Sequence, residues 1–349
     1  MPHNNKKIYT NCCWLFFFML LCGTAHAQYN FYAVNEIAGN IREQAHGNTS
    51  IAIWKAGKII YQKDTGSMKQ GKMEVPQPIG AASRWLTAAL VMTFVDEGLL
   101  SLDDPVSKYI PVFSSYSKSY ITIRHCLANT TGIEAIPGRS FKLLQRKKFA
   151  SLEEEAAYYA AHNEIINNPG KDFVYGNTGI TIAARVLEVV SKRKTFDRLI
   201  MDKIFRPIGM RKTSFMVEDG APDPATGAVS TAEDYIKFLG MLLNKGQING
   251  KRIMSEAAVA EIMKLQLKEE TVKYTPASMQ GARYGFGVFL EEEGTTISCP
   301  SFTGTYPFID TCRDYACVII MPPLKEEMKR DMYLHVKEAI NAQIAATCQ

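Results

Sequence analysis

Changes in the period of apolar positions divide this chain into elements. Residues 30–46 read as a helix. Ser50 to Gln62 is an apolar stretch interrupted by Lys55-Ala56-Gly57-Lys58, the pattern of a β-hairpin. Ala81 to Glu97 is apolar on nearly every side, with Trp85, Leu86, Leu90, Val91, Met92, Phe94 and Val95. A helix apolar all round belongs in the core of a larger protein, and Gly98 supplies its stop. Asp104-Pro105 predicts a helix start, cap followed by first turn. Thr122 opens a short helix through Leu127, and Ser151 with Glu154 forms a capping box for a helix through Ala161. Asn167 to Asn177 is rich in turn formers. Thr178 to Val190 and Thr195 to Ile204 are helical; Thr231 to Asn244 is amphipathic, and Ser255 to Leu265 follows it after a glycine-containing turn. Tyr284 to Leu290, Phe302 to Asp310 and Tyr315 to Met321 read as strands, and a helix from Lys325 to about Ala345 closes the chain.

The order of these elements carries the architecture. One hairpin lies near the N-terminus, several strands lie near the C-terminus, and helices fill the middle. The two groups of strands are expected to join in one antiparallel sheet, giving an α+β domain with helices flanking the sheet and a separate helical lobe. Neither an internal repeat nor a low-complexity linker occurs, so residues 28–349 are expected to form a single domain. Its sheet lobe would come from 28–80 and about 280–349, and its helical lobe from about 100–230. The segment 132–150, with Arg146, Lys147 and Lys148, reads as a basic loop with a solvated face.

Composition adds a compartment. Lys6 and Lys7, the apolar run from Trp14 to Cys22 and the small residues of Ala25-His26-Ala27 have the layout of a cleaved secretory signal over residues 1–27. Mature protein would begin at Gln28, with no membrane span after processing and an exported destination, periplasmic or extracellular. The formal charge of +5 falls to +3 when Lys6 and Lys7 leave, a balance that argues against nucleic acid as partner. Five of the eight cysteines remain: Cys126, Cys299, Cys312, Cys317 and Cys348. Their spacing matches no zinc or disulfide framework, and they read as buried or incidental thiols.

Several chemistries are missing. There is no G-x-S-x-G elbow, no H-E-x-x-H pair, no phosphate loop and no G-x-G-x-x-G. His46, His125, His162 and His335 are scattered without ligand-like neighbours. Neither a metal nor a cofactor is expected.

Longer segments carry a resemblance. IGAASRWLTAALVMTFVDEGLLSLDDPVSKYI, Ile79 to Ile110, resembles the first signature block of the serine β-lactamase and penicillin-binding-protein superfamily, nearest its class C β-lactamase, D-alanyl-D-alanine carboxypeptidase and esterase branch. ITIRHCLANTTGI (Ile121 to Ile133) and FVYGNTGITIAARVLEVVS (Phe173 to Ser191) are similar to later blocks, in the same order. RPIGMRKTSF, STAEDYIKFLGMLLNKGQINGKRIMS and FTGTYPFIDTCRDYACVII fit as well. The resemblance implies a β-lactamase/transpeptidase-like fold.

Its motifs are degenerate here. The family's S-x-x-K box, serine nucleophile and proton-moving lysine, falls on Ala81-Ala82-Ser83-Arg84. A methyl group cannot attack, and a guanidinium stays protonated and cannot serve as a base. Ser83 sits about 200° round the helix from Ala81 and would face away from the cleft. The second signature, Y-x-N, matches Tyr175-Gly176-Asn177. The third falls on Cys299-Pro300-Ser301, so that Ser301 stands where the family has glycine. Arg84, Tyr175, Asn177 and Phe302 are the candidate ligand contacts. Three functions stay open. The first is a silent family member that binds a peptidoglycan-type peptide, another small acyl or carboxylate ligand, or a partner through a remodelled cleft. The second is an active hydrolase of β-lactamase, carboxypeptidase or esterase type, with an unrecognised nucleophile such as Cys299 or Tyr175. The third is a protein-interaction scaffold.

Overall fold

The expected hairpin forms from β1 (Ser50–Lys55) and β2 (Lys58–Asp64), with a bulge between Ile53 and Trp54. Five strands from the C-terminal third extend it: β3 (Arg283–Tyr284), β4 (Phe289–Glu291), β5 (Thr296–Ser298), β6 (Thr305–Asp310) and β7 (Tyr315–Ile320). All pairings are antiparallel, in the order β3-β4-β5-β6-β7-β1-β2. Ser50 faces Ile320 and Lys55 faces Tyr315 across the join between the N- and C-terminal groups. This is a computed structural model, and it describes residues 29–66, 75–134, 148–192, 194–215, 220–267, 271–291, 294–323 and 325–348. Residues 31–349 form one compact unit. The segment 1–27, expected to be a cleaved signal, lies outside the described residues, and so do Arg146 and Lys147 of the basic loop; Lys148 is exposed.

Both faces of the sheet are covered, which is why every residue of β6 and β7 is buried. Side chains alternate across a strand. Ile309 therefore joins the main core, while Tyr306 and Phe308 meet the opposite layer. There Tyr333 stacks on Tyr306 at 3.9 Å between ring centroids and meets Phe308 edge-on at 5.2 Å. Tyr333 belongs to the C-terminal helix Glu326–Asn341, which packs beside α1 (Tyr32–Ala45). On the core side lies α2 (Ser83–Asp96), buried at every position from Ser83 to Phe94. Each large apolar side chain fully buried there contributes about 1.5–3 kcal/mol. Trp85 packs edge-on against Phe238 of the helix Ala232–Leu243, which lies across β1, β6 and β7. Gly240 of that helix has no room for a side chain, because a Cβ would stand 2.4 Å from the Trp54 ring.

Local signals held where a cap was present. Thr122 and His125 form a reciprocal box at the short helix Ile123–Leu127. Ser151 accepts from the Glu154 amide as expected, but the predicted box is only half formed: the Glu154 carboxylate accepts from the Ala150 amide at 2.7 Å and not from that of Ser151. Four expectations need correction. Tyr284 to Leu290 is not one strand: Gly287, at φ +72, turns the chain between β3 and β4. Asp104-Pro105 starts no α-helix. Pro105 is extended, only a 3-10 turn follows (Val106–Lys108), and the Asp104 carboxylate instead accepts from Ser101, Lys108 and Tyr109. The turn-rich segment contains a strand, Asp172–Val174, parallel to Thr271–Tyr274. Finally, Cys312 and Cys348 are joined in a disulfide, where the spacing suggested no framework and a few buried or incidental thiols; Cys126, Cys299 and Cys317 are free and buried.

Candidate functional site

The buried helix α2 starts against the turn that joins β5 to β6. Ile79 donates its amide to the Ala228 carbonyl at 3.0 Å, and a 3-10 turn over Gly80–Ala82 leads into the helix. Ala81 is half-buried. Ser83 faces away from it, as its helical phase requires: its Oγ donates to the Gly80 carbonyl at 2.6 Å and accepts from the Ala228 amide at 3.0 Å. Tyr235 donates its hydroxyl to the Ala82 carbonyl at 2.9 Å. The turn that carries the first motif is thereby held on two sides by groups that take no part in the cleft.

One helical turn on, Arg84 is only 2% exposed and faces the second motif. Nη1 donates to the Gly176 carbonyl at 2.6 Å, and Nη2 donates to the Asn177 side-chain oxygen. The guanidinium carbon lies 4.3 Å from the centre of the Tyr175 ring, a cation–π distance. Nε has no hydrogen-bond partner among the described residues. Burial alone would pull this pKa down. The surrounding Tyr175, Tyr284, Cys299 and Asp223 outweigh it and hold the group above its ordinary value. Asn177 is also the residue that precedes the helix Thr178–Val190, so Arg84 ties the start of α2 to the start of a second helix.

Tyr175 is half-buried among Tyr284 and Phe289, with ring centroids 6.0 and 5.4 Å away. Its amide donates to the Tyr274 carbonyl at 3.0 Å. Burial pushes its hydroxyl up to about 12, with the Arg84 charge acting in the opposite sense. A phenol in that state is a proton donor at neutral pH, not a base.

The third motif leaves β5 and turns into β6. The Cys299 amide donates to Pro307, Ser301 to Thr305, and Gly304 back to Ser301. Cys299 is buried, and its thiol donates to the carbonyls of Ala81 and Gly287, each at 3.2 Å. Burial pushes this thiol up to about 12, with Arg84 pulling down. A nucleophilic cysteine needs the thiolate, which this environment suppresses. Ser301 Oγ accepts from the Ala81 amide at 3.0 Å and from the Thr303 amide at 3.2 Å, and shares a hydrogen with Thr303 Oγ1 at 3.0 Å.

Six of the residues singled out from sequence therefore converge: Ala81, Arg84, Tyr175, Asn177, Cys299 and Ser301. Phe302 does not join them. It is 54% exposed, with Lys329 Nζ 5.6 Å from its ring. Sequence reasoning passed over Gly80 and Thr303. Gly80 was visible only as a flanking residue, and Thr303 lies between the third motif and the Gly304 used to align it. Behind the second motif, Asn129, Thr131, Asp172, Gly176 and Thr178 line a cavity of about 10 Å³, room for a single water at most.

An antiparallel sheet with a buried motif-bearing helix packed on one face, faced by Y-x-N and by a strand turn, defines the serine acyl-transfer class of fold. The Beta-lactamase family model matches residues 34–338, and the chain belongs to that family. Solved structures agree on the fold. A Bacteroides dorei protein assigned as a beta-lactamase is similar with a TM-score of 0.77 and 24% identity, over 90% of this chain and 99% of that one. A penicillin-binding protein homologue from Caulobacter crescentus gives 0.75 and 15%, over 90% and 97%. Protein Rv1367c of Mycobacterium tuberculosis is 24% identical, over 68% of this chain and 73% of its own length.

Proposed function

We propose that this chain is an exported, catalytically silent member of the family, which binds a ligand or partner through its remodelled cleft. A peptidoglycan-type peptide or another small acyl or carboxylate compound fits the cleft's chemistry. The observation that carries this reading is Arg84. Its guanidinium is fastened to Gly176 and Asn177 and lies over Tyr175, in the place where the family has a proton-moving lysine, and Ala81 beside it offers no nucleophile. The remaining Nε donor is buried and has no hydrogen-bond partner among the described residues.

An active hydrolase with a different nucleophile is the less favoured reading. Cys299 is buried and bonded to two carbonyls, and the Tyr175 hydroxyl is pushed up to about 12. Export is supported by the pattern of residues 1–27 and by the Cys312–Cys348 disulfide, since such bonds persist in oxidising compartments. Intact-mass measurement after incubation with benzylpenicillin and a chromogenic cephalosporin tests the silent reading. The expected spectrum shows unmodified protein; a covalent adduct on any residue would overturn it.

A further inference from the structure

We propose that Ser301 sets what the cleft admits: its hydroxyl oxygen is a built-in occupant of the oxygen-binding position at the start of α2. The inference rests on the reading of the cleft as a ligand site and makes that reading more specific. The amides that open a helix have no acceptor within the helix, and the helix dipole makes them favourable partners for an oxygen carrying negative charge. Ala81, in the 3-10 turn that leads into α2, supplies such an amide at the very residue where the family's reacting group stands. In acyl-transfer chemistry, donors placed beside the attacking atom hold the substrate oxygen as charge develops on it. Here the Ala81 donor is already engaged by Ser301 Oγ at 3.0 Å.

Three observations make this occupant part of the fold rather than a passing rotamer. The Thr303 amide and hydroxyl also bond to the same oxygen, at 3.2 and 3.0 Å. Ser301 is pinned through its own backbone, its amide to Thr305 at 2.8 Å and its carbonyl to Gly304 at 3.0 Å. The backbone opposite is shaped around the hydroxyl. Gly80 sits at φ +50, and a Cβ there would stand 2.2 Å from Ser301 Oγ and 2.9 Å from Thr303. On the other side of Ala81, the Cys299 thiol holds the carbonyl. Both backbone polar groups of Ala81 are thus satisfied by side chains of the strand turn. A ligand that needs to seat a carbonyl or carboxylate oxygen against the Ala81 amide must displace Ser301 Oγ first. The native cleft discriminates against such ligands and favours those anchored on the Arg84 and Tyr175 side.

The test compares wild type with Ser301→Ala, Ser301→Gly and Ser301→Thr, using benzoate and N-acetyl-D-alanine as carboxylate probes in calorimetric titrations. Amide NMR reports on Ala81, and thermal melts confirm folding. Both variants that remove the oxygen are expected to bind a probe about tenfold more tightly than wild type, as one charge-assisted hydrogen bond becomes available. Ser301→Thr, which keeps an oxygen on Cβ, is expected to match wild type. The Ala81 amide resonance should shift on probe addition in Ser301→Ala and stay put in wild type. Equal affinity across the series, including no measurable binding to any, overturns the role given to Ser301. Tight and equal binding would leave the ligand-site reading intact, and the silent reading is judged separately by the penicillin adduct.

Discussion

Arg84 does two kinds of work at the scale of a single side chain. On the proposed silent reading it withholds the base that a serine nucleophile needs, and it bonds two acceptors of the second motif in a buried site. Arg84→Ala leaves the Gly176 carbonyl and the Asn177 side-chain oxygen without their charged donor. Hydrogen bonds to charged groups contribute about 1.5–3 kcal/mol each, so a loss of about 3 kcal/mol is expected, read as a lower urea midpoint at unchanged m-value. A variant as stable as wild type would show that the clamp contributes nothing net. The partner substitution concerns the nucleophile. Ala81→Ser restores a hydroxyl but no base, because Arg84 stays protonated and the Tyr175 hydroxyl is raised to about 12. Below that value the phenol keeps its proton, so any p-nitrophenyl ester cleavage by the variant should climb with hydroxide from pH 7 to 11 without a plateau. Substantial turnover at neutral pH would mean that a base has gone unrecognised. Only the combination of Ala81→Ser, Arg84→Lys and Ser301→Gly is expected to recover turnover, since residues acting as a unit are strongly non-additive. The substituted motif was legible in sequence because Ile79-Gly80 and Trp85-Leu86 fix the register on both sides. The Ser301–Ala81 and Cys299–Ala81 contacts were not. They join positions about 220 residues apart through side-chain geometry that no local pattern encodes.

Elements were legible in proportion to length and punctuation. The long helices and the hairpin declared themselves through apolar runs and caps, and the join of β1 to β7 followed from having two groups of strands to pair. Short pieces failed for a physical reason. β5 spans three residues, too few to show alternation, and the apolar character of Tyr284 to Leu290 hid the turn at Gly287. Cysteine spacing likewise gave no hint of a bond set by where the C-terminal tail lands. That tail is drawn to the β6–β7 turn: Thr347 donates both its amide and its hydroxyl to the Cys312 carbonyl, at 2.8 and 2.6 Å, beside the Cys312–Cys348 bond. Between the two cysteines lies the helix Glu326–Asn341, whose Tyr333 covers one face of the sheet. Closing a loop with a sequence separation of 36 restrains the unfolded chain by about 3–4 kcal/mol. Cys348→Ser is expected to lower stability by that order in oxidising buffer and to abolish the sensitivity of the wild-type midpoint to reductant. A midpoint unmoved by either change would mark the bond as incidental.

Export is the reading that belongs to the whole molecule, and it joins the two ends of the chain. The proposal rests on the secretory-signal layout of residues 1–27 and on the Cys312–Cys348 disulfide, a bond that persists in oxidising compartments. Among the described residues, no helix is long and apolar enough to cross a membrane. If export is right, a bacterial host making the full chain with a C-terminal tag should yield a periplasmic or extracellular product. Its intact mass should correspond to a start at Gln28, with the loss of two hydrogens for one disulfide. A second arm removes residues 2–27. That form should remain in the cytoplasm with Cys312 and Cys348 both reactive to a thiol-labelling reagent after unfolding, whereas the processed form should label only Cys126, Cys299 and Cys317. The two arms separate the address from the bond. Full-length protein that stays cell-associated with its first residues intact would sink the cleaved-signal reading. Processed protein with five reactive thiols would instead preserve export and remove the disulfide as its structural mark.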